Sequence, residues 1–370
     1  MKINIVLGMG FGDEGKGIVT DSLCAANPEN DKIVVRFSGG QQAGHAVKVG
    51  DKFHIHSSFG SGTLRGIPSM ISEYCTFYPP SIIREYEALI EKGIEVPVLY
   101  IHPKAHFTTL LEIHKNRKSH KNLSDGTCGL GVGETMKRNL ETPNKLYAVD
   151  LLHEGLLYHK LYINEFNTWG SFDECADFEI CLGKMLDLIN QGRIQIIDYR
   201  ILLNRGEVIF EGSQGIMLDM DHGTIPNVTY ANTTSKNALQ ICEYLKNKGK
   251  FLDININYVT RCYGTRHGNG WTPKFSVDLK LKNNEFEINT NNEFQGNFKT
   301  FPLDESLLIH AFNIDDIYSF NVKNKNLYVT CLDQIPEYDA YEVLCRLPKM
   351  LFGKMYGSYS PDSSTIKKLF

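Results

Sequence analysis

The sequence lacks the features that mark several broad classes of protein. No apolar run approaches the roughly 20 residues that a membrane-spanning helix needs, so we expect no membrane segment. The N-terminus shows no basic leader followed by a long apolar core, which predicts a cytoplasmic protein without a signal peptide. The nine cysteines form no CxxC pairs, and this scattered, odd number favours reduced thiols over a disulfide framework or a cysteine zinc site.

Excess charge and linkers are also missing. The formal net charge of -4 is close to balanced for 370 residues, so the sequence carries no footprint of nucleic-acid binding. Length alone would allow two or three domains. Because no Pro- or Ser-rich linker and no repeat divides the chain, we expect a single elaborated domain over residues 1–370.

Short β-rich runs alternate with helix-like segments that end at glycine, such as 81–93 and 178–192. Several of the runs are largely apolar, which is typical of strands buried on both faces of a sheet. The alternation predicts an α/β fold around a central, mostly parallel β-sheet. The polar stretch 280–299 has no clear period and predicts a mobile loop or an irregular hairpin. The predicted strands are Ile3–Leu7, Lys32–Phe37, Val98–His102, Gln195–Ile201, Glu207–Phe210, Ile254–Val259 and Asn326–Thr330.

The first predicted strand runs into a glycine-rich segment, GFGDEGKG, at Gly10–Gly17. It fits both the dinucleotide pattern G-x-G-x-x-G and a phosphate loop, but each reading lacks one residue. A dinucleotide fold needs an acid after the second strand, which ends in Arg36. An ordinary phosphate loop holds magnesium with Ser or Thr at the position of Gly17. Lys16 and the four glycines still favour a phosphate-binding loop over a plain strand-to-helix turn.

Two further glycine-rich segments contain groups that can contact a ligand. FSGGQQAGHAVKVG allows close backbone approach at its glycines, and His45 is either an acid near a leaving oxygen or a structural histidine. SDGTCGLGVGET, residues 124–135, is either a backbone nest for an anion beside Thr127 and Cys128 or a flexible surface turn.

Acidic residues stand out in two later segments. In residues 208–234, Asp219, Asp221 and His222 suggest a metal site, or they brace a turn by side-chain hydrogen bonds. NLYVTCLD ends in Asp333, whose carboxylate can accept two hydrogen bonds from the adjacent N1–H and N2–H₂ donors of guanine, or simply cap the strand.

Taken together, these segments resemble the adenylosuccinate synthetase family. GDEGKG, AGH, EGSQG with LDMDHGT, VTR and SYSPDSSTI occur in that family's order between residues 12 and 366. The resemblance implies a homodimeric C–N ligase that depends on GTP and Mg²⁺. In that reaction a base removes the N1 proton of a purine nucleotide, O6 takes the γ-phosphoryl group of GTP, and the amine of aspartate displaces the 6-phosphate.

The resemblance assigns chemical roles to four matched residues. Asp13 matches the base that takes the N1 proton, and it also matches a magnesium ligand, together with the backbone carbonyl of Gly44. The metal explains why a carboxylate stands beside phosphates. Lys16 matches a cation that spreads charge on the transferring phosphoryl group, and His45 matches the acid toward the leaving GDP oxygen.

The nucleotide-binding residues are implied in the same way. Gln214 matches a side chain at the purine 6-position, and Thr229 matches a hydroxyl at the nucleotide phosphate. Asp333 matches the carboxylate that reads guanine, which implies GTP. The matched residues of the GTP site are Gly12, Gly15, Lys16, Gly17, Asp333, Ser358, Ser360 and Pro361.

Departures from the family pattern concern phosphate binding first. Gln42 stands where the family has Asn, and Cys128 stands where it has Thr. Because a thiol is a weak donor, phosphate binding there should weaken or shift to Thr127. The family borrows an arginine from the neighbouring subunit, and the nearest cations here are Lys137 and Arg138.

The amine site departs further. The family binds aspartate with a Thr-rich loop and several arginines, whereas NTNNEFQGNFKTFPLD keeps only Lys299. Either Lys299 and Arg266 bind the dicarboxylate, or Arg266 faces solvent and the amine donor is different. Loss of the arginines also fits a non-catalytic GTP-binding relative.

The short chain resembles compact archaeal and phage branches, some of which use dGMP, but Asp13 favours a purine without a 2-amino group, such as IMP.

Overall fold

The computed structural model describes residues 1–119, 127–163, 170–274, 279–282 and 297–369. Its strands are β1 (Lys2–Gly8), β2 (Lys32–Arg36), β3 (His45–Val49), β4 (Lys52–His56), β5 (Ser69–Ile71), β6 (Thr76–Phe77), β7 (Leu99–Ile101), β8 (His106–Phe107), β9 (Ile194–Ile196), β10 (Glu207–Gly215), β11 (Asp253–Arg261), β12 (Tyr263–His267), β13 (Phe298–Pro302), β14 (Asn324–Thr330), β15 (Lys354–Gly357) and β16 (Lys367–Lys368).

Helices are interspersed between these strands. They are α1 (Lys16–Ala25), α2 (Pro79–Glu91), α3 (Leu110–Lys118), α4 (Val132–Glu141), α5 (Glu154–Ile163), α6 (Phe172–Asn190), α7 (Lys236–Asn247), α8 (Glu305–Ser319) and α9 (Glu337–Arg346). The predicted helical segments 81–93 and 178–192 form parts of α2 and α6. Each of these helices is followed by a glycine with positive φ, at Gly93 (69°) and Gly192 (73°). Residues with a Cβ atom rarely adopt this conformation.

A ten-stranded sheet forms the centre of the molecule, in the order β16-β15-β14-β11-β1-β10-β2-β5-β7-β9. Every neighbouring pair is parallel except β15 and β16. All the predicted strands lie in this sheet, so the α/β fold with a mostly parallel sheet is confirmed. The strand expected at Gln195–Ile201 is shorter, because Asp198 accepts a 2.9 Å hydrogen bond from the backbone of Arg200 and begins a 3₁₀ turn.

Both faces of the sheet are covered. Ile5 of β1 lies in the main apolar core with Ile241 of α7, whereas Val6 packs on the opposite face with Val19 of α1. Burial on both faces explains why β1 is apolar over most of its length. Among the described residues, every helix is too short or too polar to cross a lipid bilayer. The nine cysteines are free thiols.

The parallel arrangement brings the carboxyl ends of β1, β2, β10, β11, β14 and β15 to one edge of the sheet. In open α/β sheets, ligands bind outside this edge. Between β2 and β5 the chain adds the antiparallel hairpin β3–β4, whose turn contains Gly50 with a φ of 62°. This hairpin was not predicted, and it carries His45 toward the same edge.

A chain of buried polar side chains crosses the centre of the sheet. Asn4 donates a 2.6 Å hydrogen bond to Glu207, Asn257 donates to Asn4 at 3.2 Å, and Asn326 donates to Asn257 at 3.1 Å. These contacts join β10, β1, β11 and β14. Because a buried polar group is costly only when unpaired, each amide depends on its neighbours.

We predict that Asn257→Ala destabilises the protein by about 2 kcal/mol, because it leaves the buried Asn4 oxygen and an N–H of the half-buried Asn326 without their partner. Urea denaturation measures the change as a lower midpoint. Asn324→Ala, an exposed asparagine in the same sheet, is the control and should cost much less. Equal effects of the two substitutions would contradict a structural role for the polar chain.

Candidate active site

The carboxyl edge of the sheet opens into a cleft with about 870 Å³ of empty space. Many of the residues that the sequence singled out line this cleft. They are Gly12, Asp13, Gly15, Lys16, Gly17, Gly44, His45, Asp333, Ser358, Ser360 and Pro361.

The loop between β1 and α1 is held in shape by Glu14. Its carboxylate accepts hydrogen bonds from the backbone N–H groups of Gly10 (2.9 Å) and Gly12 (2.8 Å), and lies 2.8 Å from the ammonium of Lys16. Burial raises the pKa of Glu14, but the Lys16 charge and these hydrogen bonds outweigh it and leave the pKa below its ordinary value. The second acid of the loop is therefore an internal anion that orders the loop and holds Lys16.

Gly17 is required by the packing of α1 against β3. A Cβ atom at this position would lie 2.9 Å from the Cβ of His45 and 3.3 Å from the carbonyl oxygen of Ala46. Contacts below 3.0 Å do not occur between real Cβ atoms, so a Ser or Thr at residue 17 would push β3 away. The missing hydroxyl of the phosphate loop thus follows from the close approach of His45.

His45 forms a buried pair with Glu211 at the end of β10. Its Nδ1 lies 2.7 Å from the Glu211 carboxylate, which also accepts hydrogen bonds from the backbone N–H of Ser61 (3.1 Å) and from its hydroxyl. Burial lowers the pKa of His45 against the opposing effect of Glu211. Because a carboxylate only accepts, Nδ1 carries the proton of the neutral ring. The buried Nε2 has no hydrogen-bond partner among the described residues.

Asp13 has a different environment from Glu14. Its side chain is 23% exposed, and Oδ2 lies 3.4 Å from Nε2 of His267 in β12. Its backbone carbonyl accepts a 2.5 Å hydrogen bond from Arg261. Burial raises the pKa of Asp13, while His267 and Arg261 oppose the rise. A carboxylate that is more basic than usual and faces a cleft suits proton transfer.

Two glutamine side chains converge on Gly39 beside this cleft. A Cβ built on Gly39 would lie 2.8 Å from Oε1 of Gln214 and 3.0 Å from Nε2 of Gln42. Oε1 of each glutamine is buried and has no hydrogen-bond partner within the described part of the chain. Buried amide oxygens without partners are ready to accept hydrogen bonds from a ligand.

In the glycine-rich segment at residues 124–135, the described residues do not line this cleft. Thr127 donates a 2.9 Å hydrogen bond to Asn116, and burial raises the pKa of the Cys128 thiol, which keeps it protonated. Arg138 is buried, donates to Glu112 at 2.9 Å and also contacts the carbonyl of Phe107. These contacts hold its guanidinium inside the chain. Residues 124–126 lie outside the described residues.

The acidic segment after β10 braces a turn. Asp219 accepts hydrogen bonds from the backbone N–H groups of Asp221 (2.9 Å) and Thr233 (2.6 Å), and His222 lies 2.8 Å from the Tyr318 hydroxyl. Of the two readings of this segment, the contacts favour the brace over the metal site. Thr229 is anchored nearby through its backbone N–H, 2.8 Å from the carbonyl of Leu218.

Arg266 and Lys299 are directly opposite each other in the antiparallel pair β12–β13. Arg266 is only 2% exposed, so it does not face solvent. It donates to the carbonyl of Trp271 at 2.7 Å and lies 4.3 Å above the ring of Phe11. Burial lowers its pKa to about 10. The rest of the predicted amine-binding loop, residues 283–296, lies outside the described residues.

The sequence did not assign roles to Glu211 and Arg261, which contact His45 and Asp13. It suggested His267, with Arg266, as a clamp for the amine donor, whereas the structure places His267 beside Asp13. Glu211 stands in the quoted segment EGSQG and Arg261 in VTR, so both were visible. Their contacts depend on strand pairing and could not be read from local spacing.

Comparisons with known proteins match this chain to one family. The family model for adenylosuccinate synthetase matches residues 5–341. Adenylosuccinate synthetase of Thermodesulfovibrio yellowstonii is 32% identical over 285 residues, which cover 74% of this chain and 65% of the relative. The enzyme of Clostridium botulinum strain Eklund 17B is 32% identical over 312 residues, which cover 78% of this chain and 71% of the relative.

Two solved structures share the fold. The succinoaminodeoxyadenylate synthetase of cyanophage S-2L, bound to dGMP and to dATP as an energy donor, has a TM-score of 0.72 at 16% identity, and the match covers 99% of this chain and 95% of that one. The fully ligated adenylosuccinate synthetase from Plasmodium falciparum has a TM-score of 0.71 at 18% identity, with 99% of each chain covered.

The His45–Glu211 pair makes stability depend on acid pH. Burial raises the pKa of Glu211, but His45, Arg36 and Ser61 outweigh it and lower the pKa from 4.5 to about 2. A carboxylate with a depressed pKa stabilises the fold above its ordinary pKa and loses this contribution as the pH falls through the depressed value.

We therefore predict that Glu211→Gln destabilises the protein at pH 7 and that the difference from wild type shrinks between about pH 4.5 and pH 2. Urea midpoints over this pH range measure the difference. Glu243→Gln, which removes an exposed carboxylate, should show no such trend. A difference that stays constant down to pH 2 would contradict a buried, ionised Glu211.

Proposed function

The chain belongs to the adenylosuccinate synthetase family, and on this premise we propose that it joins the amine of aspartate to C6 of a purine nucleotide such as IMP at the expense of GTP. The observation that carries the proposal is the cleft in which Asp13, Lys16, His45 and Asp333 face a common space. In the family, this chemistry proceeds through a 6-phosphorylated nucleotide and needs a homodimer.

Magnesium fits the residues available in the cleft. The Asp13 carboxylate and the Gly44 carbonyl both line it, and Mg²⁺ prefers such oxygen donors. The bound ion neutralises charge on the phosphate oxygens of GTP. Gly17 excludes the hydroxyl that holds the ion in ordinary phosphate loops, which leaves the carboxylate of Asp13 to do so.

In the first step we assign proton removal to Asp13. Its Oδ takes the N1 proton, the electron pair moves to O6, and O6 forms a bond to the γ-phosphorus as the bond to the GDP oxygen breaks. Burial raises the pKa of Asp13, which makes it a better base than an exposed aspartate. Lys16, on the loop beside the phosphates, stabilises negative charge on the group in transfer.

His45 acts on the leaving oxygen of GDP in this proposal. Its Nδ1–H is given to Glu211, so Nε2 can donate only when the ring is an imidazolium. A bound phosphate at Nε2 and the ionised Glu211 both favour that form. Glu211 is thus a positioning residue, which fixes the ring and its charge.

In the second step the α-amine attacks C6 and the 6-phosphate leaves. The unpartnered Oε1 of Gln214 is suited to accept a hydrogen bond from the incoming amine. Lys299 and Arg266 are opposed across β12–β13 and are the proposed contacts for the donor's carboxylates. Because Arg138 is held by Glu112, we assign the cation lent to the partner subunit of the homodimer to the exposed Lys137.

A substrate panel tests the proposed function. The protein is incubated with GTP, Mg²⁺ and IMP, dIMP or dGMP, with aspartate or a pool of amino acids, and products are followed by mass and by phosphate release. We expect an aspartate adduct of IMP or dIMP. A preference for dGMP would support the phage-type activity. An adduct with a different amino acid would identify that amino acid, rather than aspartate, as the amine donor. GTP binding without turnover for any pair would refute the proposed ligase activity.

We predict that Asp13→Asn lowers turnover by about 10³-fold, because an amide cannot accept the N1 proton. The melting temperature should stay close to that of the wild type, since the side chain is partly exposed and lies outside the apolar core. Asp51→Asn, in the exposed turn of β3–β4, is the matched control and should keep full activity. Near-normal turnover of Asp13→Asn would exclude it as the base.

We also predict that Asp333→Asn raises the KM for GTP by about 10- to 100-fold, which corresponds to the loss of roughly 1–3 kcal/mol of hydrogen bonding to guanine. XTP should partly restore activity, because the asparagine amide can donate to the 2-oxygen of xanthine. Steady-state kinetics with GTP, XTP and ATP measure the preference. An unchanged KM for GTP would show that the base is read elsewhere.

A further inference from the structure

A second cluster of chemically reactive side chains lies outside the cleft, between the hairpin β3–β4 and helix α2. It consists of His54 and His56 of β4 and Glu85 of α2. The three residues are 5%, 0% and 6% exposed. One ligand atom from each lies within 4.8 Å of the others.

The atoms that face one another in this cluster have no partners. Nε2 of His54, both ring nitrogens of His56 and Oε1 of Glu85 are buried without a hydrogen bond among the described residues. Leaving such groups unpaired costs several kcal/mol in total. The other oxygen of Glu85 is fully occupied, since it accepts from the backbone of Ser58 at 2.6 Å and from the hydroxyl of Ser57 at 2.9 Å.

Two of the three separations in this cluster suit a bound ion better than direct hydrogen bonds. Oε1 of Glu85 lies 3.5 Å from Nε2 of His54 and 3.5 Å from Nδ1 of His56. Hydrogen bonds of this type are shorter, about 2.7–3.2 Å. Two ligands bound at about 2.0–2.2 Å to a tetrahedral ion are separated by about 3.4 Å.

We propose that His54, His56 and Glu85 form a binding site for a transition-metal ion of the Zn²⁺ type. Two imidazoles and one carboxylate are ligands that zinc accepts, with a fourth position left for water. Mg²⁺ prefers oxygen ligands, so this site is chemically different from the phosphate-loop site.

One residue must move when the ion binds. Lys92 lies 3.0 Å from Nδ1 of His54 and donates to the carbonyl of Phe53 at 2.9 Å. When Nε2 of His54 binds a metal, Nδ1 carries the ring proton and no longer accepts from Lys92. Lys92 is exposed and can turn into water. Its positive charge also opposes the ion, so Lys92 weakens the site.

The ion would connect α2 to β4, the strand that pairs with β3, on which the proposed acid His45 lies. His56 is directly opposite His45 in the β3–β4 ladder. A metal bound by His56 and Glu85 therefore fixes the hairpin on α2 and, through the ladder, the strand that carries His45. The role is structural, and it holds whether or not the proposed ligase reaction is correct, because it rests on metal content rather than on turnover.

The first test measures zinc in the full chain, produced in zinc-supplemented medium with a tag that contains no histidine and dialysed against excess Mg²⁺. Mass spectrometry of the metals should give about one zinc per chain for the wild type and background values for His56→Gln and Glu85→Gln. His102→Gln removes a buried histidine that stacks on Tyr199 and should keep the zinc. Zinc that is absent from the wild type, or unaffected by the two cluster variants, overturns the proposal.

The second test uses affinity and spectroscopy. Lys92→Met should bind Zn²⁺ at least several-fold more tightly than the wild type in competition with a chromophoric chelator, an outcome that remains decisive if Glu85→Gln does not fold. Co²⁺ in place of zinc should give visible absorption bands of a four-coordinate site, and Asp13→Asn should retain them. Unchanged zinc affinity in Lys92→Met would overturn the assignment. Loss of the bands in Asp13→Asn would also overturn it, because that result would place the ion in the cleft.

Discussion

The close approach of helix α1 to strand β3 at Gly17 is the contact on which the rest of the site depends. A side chain at residue 17 would collide with the Cβ of His45, so this loop cannot carry the hydroxyl that ordinary phosphate loops use. The same contact brings His45 to the cleft that Lys16 also lines. The absence of that hydroxyl and the presence of a histidine are thus two results of one packing arrangement, and Asp13 is the carboxylate that remains facing the cleft.

Three carboxylates near the cleft have different tasks because their surroundings differ. Glu14 is neutralised by Lys16 and by backbone N–H groups, and Glu211 by His45 and Ser61, so both are lower in pKa than ordinary glutamates. At Asp13 the effect of burial exceeds the opposing effects of His267 and Arg261, so its pKa is raised. On the proposed reaction, groups whose environments separate their pKa values in this way divide into structural anions and a base. The opening segment carries two adjacent acids because one orders the loop and the other faces the cleft.

The sequence predicted those parts of the fold that depend on local patterns. Seven of the ten strands of the central sheet were recognisable because burial makes them largely apolar, as in β1, whereas the shorter β5, β15 and β16 were not predicted. The residues that line the cleft were recognisable because they stand in motifs, and the parallel sheet brings the ends of β1, β14 and β15 together. The β3–β4 hairpin was not predicted, because its strands are short and rich in polar residues. The contacts of Glu211 and His267 were missed because they join strands that are distant in sequence.

The amine site shows how burial changes the meaning of a cation. Arg266 spends two guanidinium nitrogens on the carbonyls of Trp271 and Asn227, and only its Nε is unpartnered among the described residues. It cannot present the two parallel N–H groups of a bidentate clamp in this conformation. Lys299, opposite Arg266, offers a point charge rather than a planar fork. On the proposed reaction, two neighbouring positive charges therefore attract the carboxylates of the amine donor. They orient these carboxylates less strictly than a pair of arginine side chains would. Recognition of the donor then depends more on charge than on geometry.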